Sequence, residues 1–109
     1  MKDGYIYYIA IYDEIPCGYS SIKQDNGIFL SKFYVKQSKR GLGLGRAMIT
    51  AIENHAKEND KNRIWLTCNK YNSNTLAAYK KLGFDIIDDI VTDIGNGFVM
   101  DDYVLEKRL

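Results

Sequence analysis

Lys39-Arg40-Gly41-Leu42-Gly43-Leu44-Gly45-Arg46 is the stretch whose reading decides how this chain folds. The residues before it are tyrosine-rich and β-branched, as in strands. After it, apolar residues recur at Leu44, Ala47, Met48, Ala51, Ile52 and Ala56, the spacing of an amphipathic helix running to about Asn59. A glycine-rich basic loop that follows a strand and opens a helix is suited to an anion. Glycines let backbone N–H groups approach it, the helix N-terminus supplies unpaired donors, and Lys39, Arg40 and Arg46 add charge. A pyrophosphate is the expected guest. Two common phosphate patterns fail, since G-x-G-x-x-G would need glycine at Arg46 or Met48, and no G-K-[ST] closes the loop.

Toward the N-terminus, residues 5–12, 17–23 and 28–35 read as strands. They are joined by turns at Asp13-Glu14-Ile15-Pro16 and Gln24-Asp25-Asn26-Gly27, and connections this short imply antiparallel pairing. Toward the C-terminus, 63–69 reads as a buried strand, and the order strand, helix, strand predicts that it lies parallel to 28–35. Asn72-Ser73-Asn74 offers N-cap side chains for a helix over 74–82, and Gly83 fits the left-handed residue that ends it. Strands at 84–91 and 98–107 form a hairpin about Asp93-Ile94-Gly95-Asn96-Gly97, whose glycines are read as a turn. The expected fold is a single α/β (α+β) domain over residues 1–109. It has a mixed, largely antiparallel central sheet splayed between strands 28–35 and 63–69, and two main helices.

Composition narrows the function. Fifteen basic and fourteen acidic residues leave a net charge of +1, so neither nucleic acid nor an anionic membrane is expected as a partner. Cys17 and Cys68 form no C-x-x-C pair, and His55 has no partner at ligand spacing, so no metal is expected. His55, Cys17, Cys68 and Trp65 are read as structural. No apolar run approaches the length of a membrane span, no signal-peptide core opens the chain, and the cytoplasm is the expected compartment.

Read as [Q/R]-x-x-G-x-[G/A], Arg40-Gly41-Leu42-Gly43-Leu44-Gly45 resembles the acyl-CoA pyrophosphate loop of the GNAT superfamily of N-acetyltransferases. Further on, Asn72-x-x-Thr75-Leu76-x-x-Tyr79-Lys80-Lys81-Leu82-Gly83-Phe84 resembles that family's N-x-x-A-I-x-x-Y-x-x-x-G-F segment. The resemblance implies acetyl-CoA as co-substrate and transfer of its acetyl group to a primary amine, on a small polyamine, an amino acid or a peptide, by direct attack in a ternary complex. It implies that Phe33, Tyr34 and Val35 pair with the pantetheine arm and that Arg40, Gly41, Leu42, Gly43, Leu44, Gly45 and Arg46 hold the pyrophosphate. Asn72 and Lys81 would also contact the cofactor, and Tyr79 would be the general acid for the leaving thiolate.

Two departures qualify the implied mechanism. Many members carry a glutamate on the strand before the loop, but Ile28-Phe29-Leu30-Ser31-Lys32-Phe33-Tyr34-Val35 has no acid, so the base is not identified, and water relayed to backbone, or an acid from Asp101 or Asp102, are the substitutes. Members also open with a strand and two helices ahead of the strand placed here at 5–12. Strand 5–12 is then an exposed apolar edge, and a homodimer is expected to bury it. The alternative function is an acyl-CoA-binding module, or an incomplete acetyltransferase that acts only with a partner or as a dimer.

Overall fold

The computed structural model describes residues 4–109. Its elements are β1 (Ile6–Tyr12), β2 (Ile15–Gln24), β3 (Ile28–Val35), α1 (Leu44–Glu58), β4 (Arg63–Asn69), α2 (Ser73–Lys81), β5 (Asp85–Gly95) and β6 (Phe98–Arg108), with a 3-10 turn at Gln37–Lys39 between β3 and α1. They make a mixed α/β fold with a six-stranded, mostly antiparallel sheet and two α-helices, as the sequence predicts. The backbone contacts gather into two compact units. One runs to Ile64 and takes in Leu109, and the other spans Trp65–Arg108.

In the first unit β1, β2 and β3 form an antiparallel meander. Its register brings Tyr8, Ser20 and Phe33 side by side, then Ala10, Gly18 and Val35. Side chains alternate across a pleated sheet, so one face can be apolar and covered while the other is not. Ala10 and Cys17 pack with Met48 of α1, flanked by Phe33, Val35 and Leu44. The i, i+3, i+4 pattern of α1 is what buries Met48, Ile49, Ile52 and Ala56, and each large side chain so buried contributes about 1.5–3 kcal/mol. The opposite face of the meander leaves Tyr7, Ile9, Ile11, Tyr19 and Tyr34 exposed.

The first turn is tighter than the sequence reading has it. Asp13 and Glu14 both take positive φ, 53° and 66°, as the two central residues of a type I′ turn do. Ile15 and Pro16 therefore belong to β2 rather than to the turn. Pro16 is accommodated opposite Ile11, where the register shifts between Ala10 and Ile11, because a bulge tolerates a residue with no N–H to donate.

In the second unit β4 neighbours β6, which pairs antiparallel with β5. Helix α2 ends in two reciprocal bonds, Phe84 N–H to the Tyr79 carbonyl at 3.1 Å and Gly83 N–H to the Lys80 carbonyl at 3.0 Å, with Gly83 at φ 99°. Phe84 then folds its ring edge-on against Tyr79, with centroids 5.6 Å apart. Lys107 Nζ donates to the Leu82 carbonyl at 2.8 Å and satisfies one more helix-end acceptor. Gly83→Ala would place a methyl 3.1 Å from Lys107 Cε in a backbone conformation that disfavours it. The expected cost of about 1 kcal/mol lowers the melting temperature by about 4–8 °C, which thermal unfolding followed by circular dichroism measures.

Strand β5 is longer than the sequence predicts, ending at Gly95 rather than near residue 91. All of its side chains are exposed, so no buried stripe marks where it stops. Asn96 (φ 54°) and Gly97 (φ 79°) alone make the turn, and Asn-Gly is the pair that favours a type I′ hairpin.

Candidate functional site

In the first unit the chain leaves β3 at Val35, makes the 3-10 turn and enters α1 at Leu44. Gly43 is the N-cap at φ 78°, no side chain caps the helix, and no acidic residue stands in its first turn. The first N–H groups of a helix have no partner within it, and here no side chain of the cap position or acid of the first turn competes for them. A Cβ built on Gly41 or Gly43 would meet no heavy atom within 4 Å, so the approach to these donors is open. Gly45 packs instead, with its Cβ position 3.5 Å from the Phe33 ring. The combination of positive dipole end, open glycines and absent acids fits a phosphate group.

The basic side chains around this end do not all point one way. Arg40 Nε donates to the Val35 carbonyl at 3.0 Å, which folds its guanidinium back onto the end of β3 and fixes the loop. Lys39 Nζ lies 5.3 Å from the centre of the Tyr12 ring. Arg46 is the third residue of α1. Lys36 N–H bonds the Cys17 carbonyl at 2.6 Å, which ties the end of β3 to β2.

In the second unit Asn72 is the N-cap of α2, and its side-chain oxygen accepts from Thr75 N–H at 3.4 Å. The helix starts at Ser73, one residue before the sequence expectation, because Asn72 takes the capping place. Lys81 stands in its last turn. Tyr79 is half-buried, and burial first, then the nearby Cys68, pushes its phenol up to about 12. Burial also raises the Cys68 thiol, with the charge of Asp102 adding to it. Cys68 on β4 thus feels the charge of Asp102 on β6 and in turn acts on Tyr79 of α2.

Sequence reasoning missed the ion cluster beside them. Lys70 Nζ lies 2.6 Å from Asp101 Oδ1 and 3.1 Å from Asp89 Oδ2, and 5.3 Å from the centre of the Tyr103 ring. Hydrogen bonds to Asp101, then to Asp89, hold the Lys70 ammonium well above its ordinary pKa. The crowd of aspartates in the C-terminal third was the available signal. Two of them are consumed within the chain. Among the described residues no cluster of three or more His, Cys, Asp or Glu is placed to hold a metal ion, and no helix is long and apolar enough to cross a membrane.

Residues 1–84 match the model of the acetyltransferase (GNAT) family. Among solved structures, a putative streptothricin acetyltransferase from Bacillus anthracis in complex with acetyl coenzyme A superposes with a TM-score of 0.84 at 23% identity, over 99% of this chain and 64% of that one. The paia N-acetyltransferase from Thermoplasma acidophilum in complex with coenzyme A gives 0.80 at 22%, over 97% and 62%. An IAA acetyltransferase from Bacillus cereus gives 0.80 at 19%, over 97% and 79%. At such identities the structural likeness is one of fold. This chain spans about 62% to 79% of the length of those three.

Proposed function

This chain belongs to the acetyltransferase (GNAT) family, acyltransferases that draw on acetyl-CoA, and from that premise we propose that it acts as one domain to move an acetyl group onto a primary amine. The observation that carries the proposal is the start of α1, uncapped, free of acid and flanked by two open glycines directly after β3. In the first unit the N–H groups of residues 41–46 and the charges of Arg40 and Arg46 bind the pyrophosphate of CoA, and the backbone of Phe33, Tyr34 and Val35 takes the pantetheine arm. Arg40 has a second duty there as the brace that holds the Val35 carbonyl. In the second unit Tyr79 protonates the departing sulfur, while Asn72 and Lys81 contact the cofactor.

The acceptor class proposed is a small polyamine, an amino acid or a peptide amine. Such an amine attacks the acetyl carbonyl directly, with no acyl-enzyme, because among the described residues the candidate nucleophile is Cys68, and burial raises its thiol and so disfavours the thiolate. Titration calorimetry with acetyl-CoA, followed by a free-thiol assay against putrescine, glycinamide and lysine peptides, tests this. Binding with thiol release on one amine class is expected, and absence of binding would remove the reading.

Self-association is part of the proposal. Tyr7, Ile9, Ile11, Tyr19 and Tyr34 form an exposed aromatic and aliphatic face, the composition that protein interfaces favour. A homodimer that covers it is expected by light scattering after size exclusion, and a monomer across micromolar concentrations would rule it out. The cytoplasm is the proposed compartment, where the two free, buried thiols of Cys17 and Cys68 stay reduced.

A further inference from the structure

An ammonium acceptor must lose a proton before its nitrogen can attack, and β3 carries no carboxylate to take it. The second unit separates the two aspartates that could. Asp101 is held by the Lys70 ammonium at 2.6 Å, so its carboxylate is already engaged within the chain. Asp102 is the next residue on β6, so its side chain leaves by the opposite face. It is half-buried, and among the described residues its carboxylate makes no hydrogen bond or ion pair.

The backbone fixes where that carboxylate stands. Lys70 N–H donates to the Asp101 carbonyl at 3.0 Å, which pins this part of β6 to the end of β4, just where the chain turns through Asn72 into α2. Asp102, the next residue along β6, is thereby held beside the end of β4 that carries Cys68, whose thiol its charge raises. The Lys70 clamp on Asp89 and Asp101 joins both strands of the hairpin to this point.

We propose that Asp102 is the general base of the acetyl transfer, an inference that rests on the function proposed above. Its carboxylate takes a proton from the ammonium acceptor and leaves a free amine. The nitrogen–carbon bond forms, the carbon–sulfur bond breaks with its electron pair on sulfur, and the Tyr79 hydroxyl protonates that sulfur. The nitrogen sheds its second proton to solvent, and the proton on Asp102 returns through solvent to the Tyr79 oxygen. Each turnover converts an ammonium and a thioester into an amide, a thiol and one released proton.

The test uses acceptors of falling basicity, putrescine, glycinamide and aminoacetonitrile, with the full chain and its Asp102→Asn, Asp102→Glu and Asp101→Asn variants. Asp102→Asn is expected to slow transfer to putrescine about a hundredfold and to leave aminoacetonitrile, which is unprotonated at neutral pH, nearly unchanged. Asp102→Glu keeps a carboxylate and recovers at least about tenfold of the loss. Asp101→Asn lowers the melting temperature and affects the three amines alike. A loss from Asp102→Asn that is equal for all three amines, or no loss, overturns the assignment of the base. Failure of the wild-type chain to acetylate any of them overturns the underlying function, and the assignment with it.

Discussion

Replacing Tyr79 by phenylalanine lowers the turnover of acetyl transfer by about 10²–10⁴ and leaves the affinity for CoA unchanged. The substitution deletes one hydroxyl and keeps the ring that packs edge-on against Phe84, so α2 retains its C-terminal lock. A phenol pushed up to about 12 stays protonated throughout the physiological range, which keeps the donor loaded before each turnover. The same shift sets the alkaline behaviour. Loss of the proton removes the acid, so the fall in rate that an ordinary phenol would produce near pH 10 is displaced toward 12. Stability follows the same sign. Between 10 and 12 the unfolded chain gives up this proton before the folded one does, so the contribution of Tyr79 is complete below pH 10 and declines as pH rises through that window. A pH–rate profile, steady-state kinetics and calorimetry on both proteins read all of this. Equal turnover in Tyr79→Phe and wild type would remove the acid.

The parts of this fold that were legible in the sequence are those where one local rule acts alone. The apolar residues of α1 sit at helical spacing because a single face is buried, and the helix appears at Leu44–Glu58. Gly83 was readable because a helix end that turns left admits few other residues, and the bonds from Gly83 and Phe84 close it as expected. The misjudged parts depend on a competing partner. Pro16 looked like turn chemistry, but a positive-φ pair at Asp13 and Glu14 had already made the turn. The end of β5 left no trace because no face of that strand is buried. The clamp of Lys70 on Asp89 and Asp101 joins residues far apart in sequence, and no spacing rule couples them.

The candidate site divides in the same way. The glycine-rich loop reads as a candidate anion site because glycine spacing and helix periodicity are both local. Asn72-Ser73-Asn74 marks a helix N-cap in the sequence, and Asn72 takes that place with its side-chain oxygen. What the sequence could not show is that Arg40 spends its Nε on the Val35 carbonyl. Each also shapes the backbone that is expected to receive the cofactor. A substitution at either position therefore mixes lost contact with lost geometry, whereas Gly43 offers a cleaner probe.

Gly43→Glu abolishes measurable binding of CoA, an expected weakening of at least about a hundredfold, with only a modest change in the stability of the chain. Two effects of the new side chain oppose each other in the fold. A residue with Cβ at φ 78° is strained, at about 1–2 kcal/mol, but a carboxylate beside the first turn of α1 interacts favourably with the helix dipole and offsets part of that cost. No such offset exists for the ligand. The carboxylate takes the N–H donors that a phosphate would use, and it sets a negative charge against the pyrophosphate at the place where the first turn now holds no acid. Gly43→Asn separates charge from strain, because asparagine tolerates the left-handed backbone and brings no charge. Calorimetric titration of the three proteins should give an Asn variant within about tenfold of wild type and a Glu variant with no detectable heat. If Asn and Glu weaken binding alike, the loop matters through its backbone conformation and not as the seat of the pyrophosphate. If Glu binds as wild type does, the pyrophosphate does not sit at the start of α1 at all.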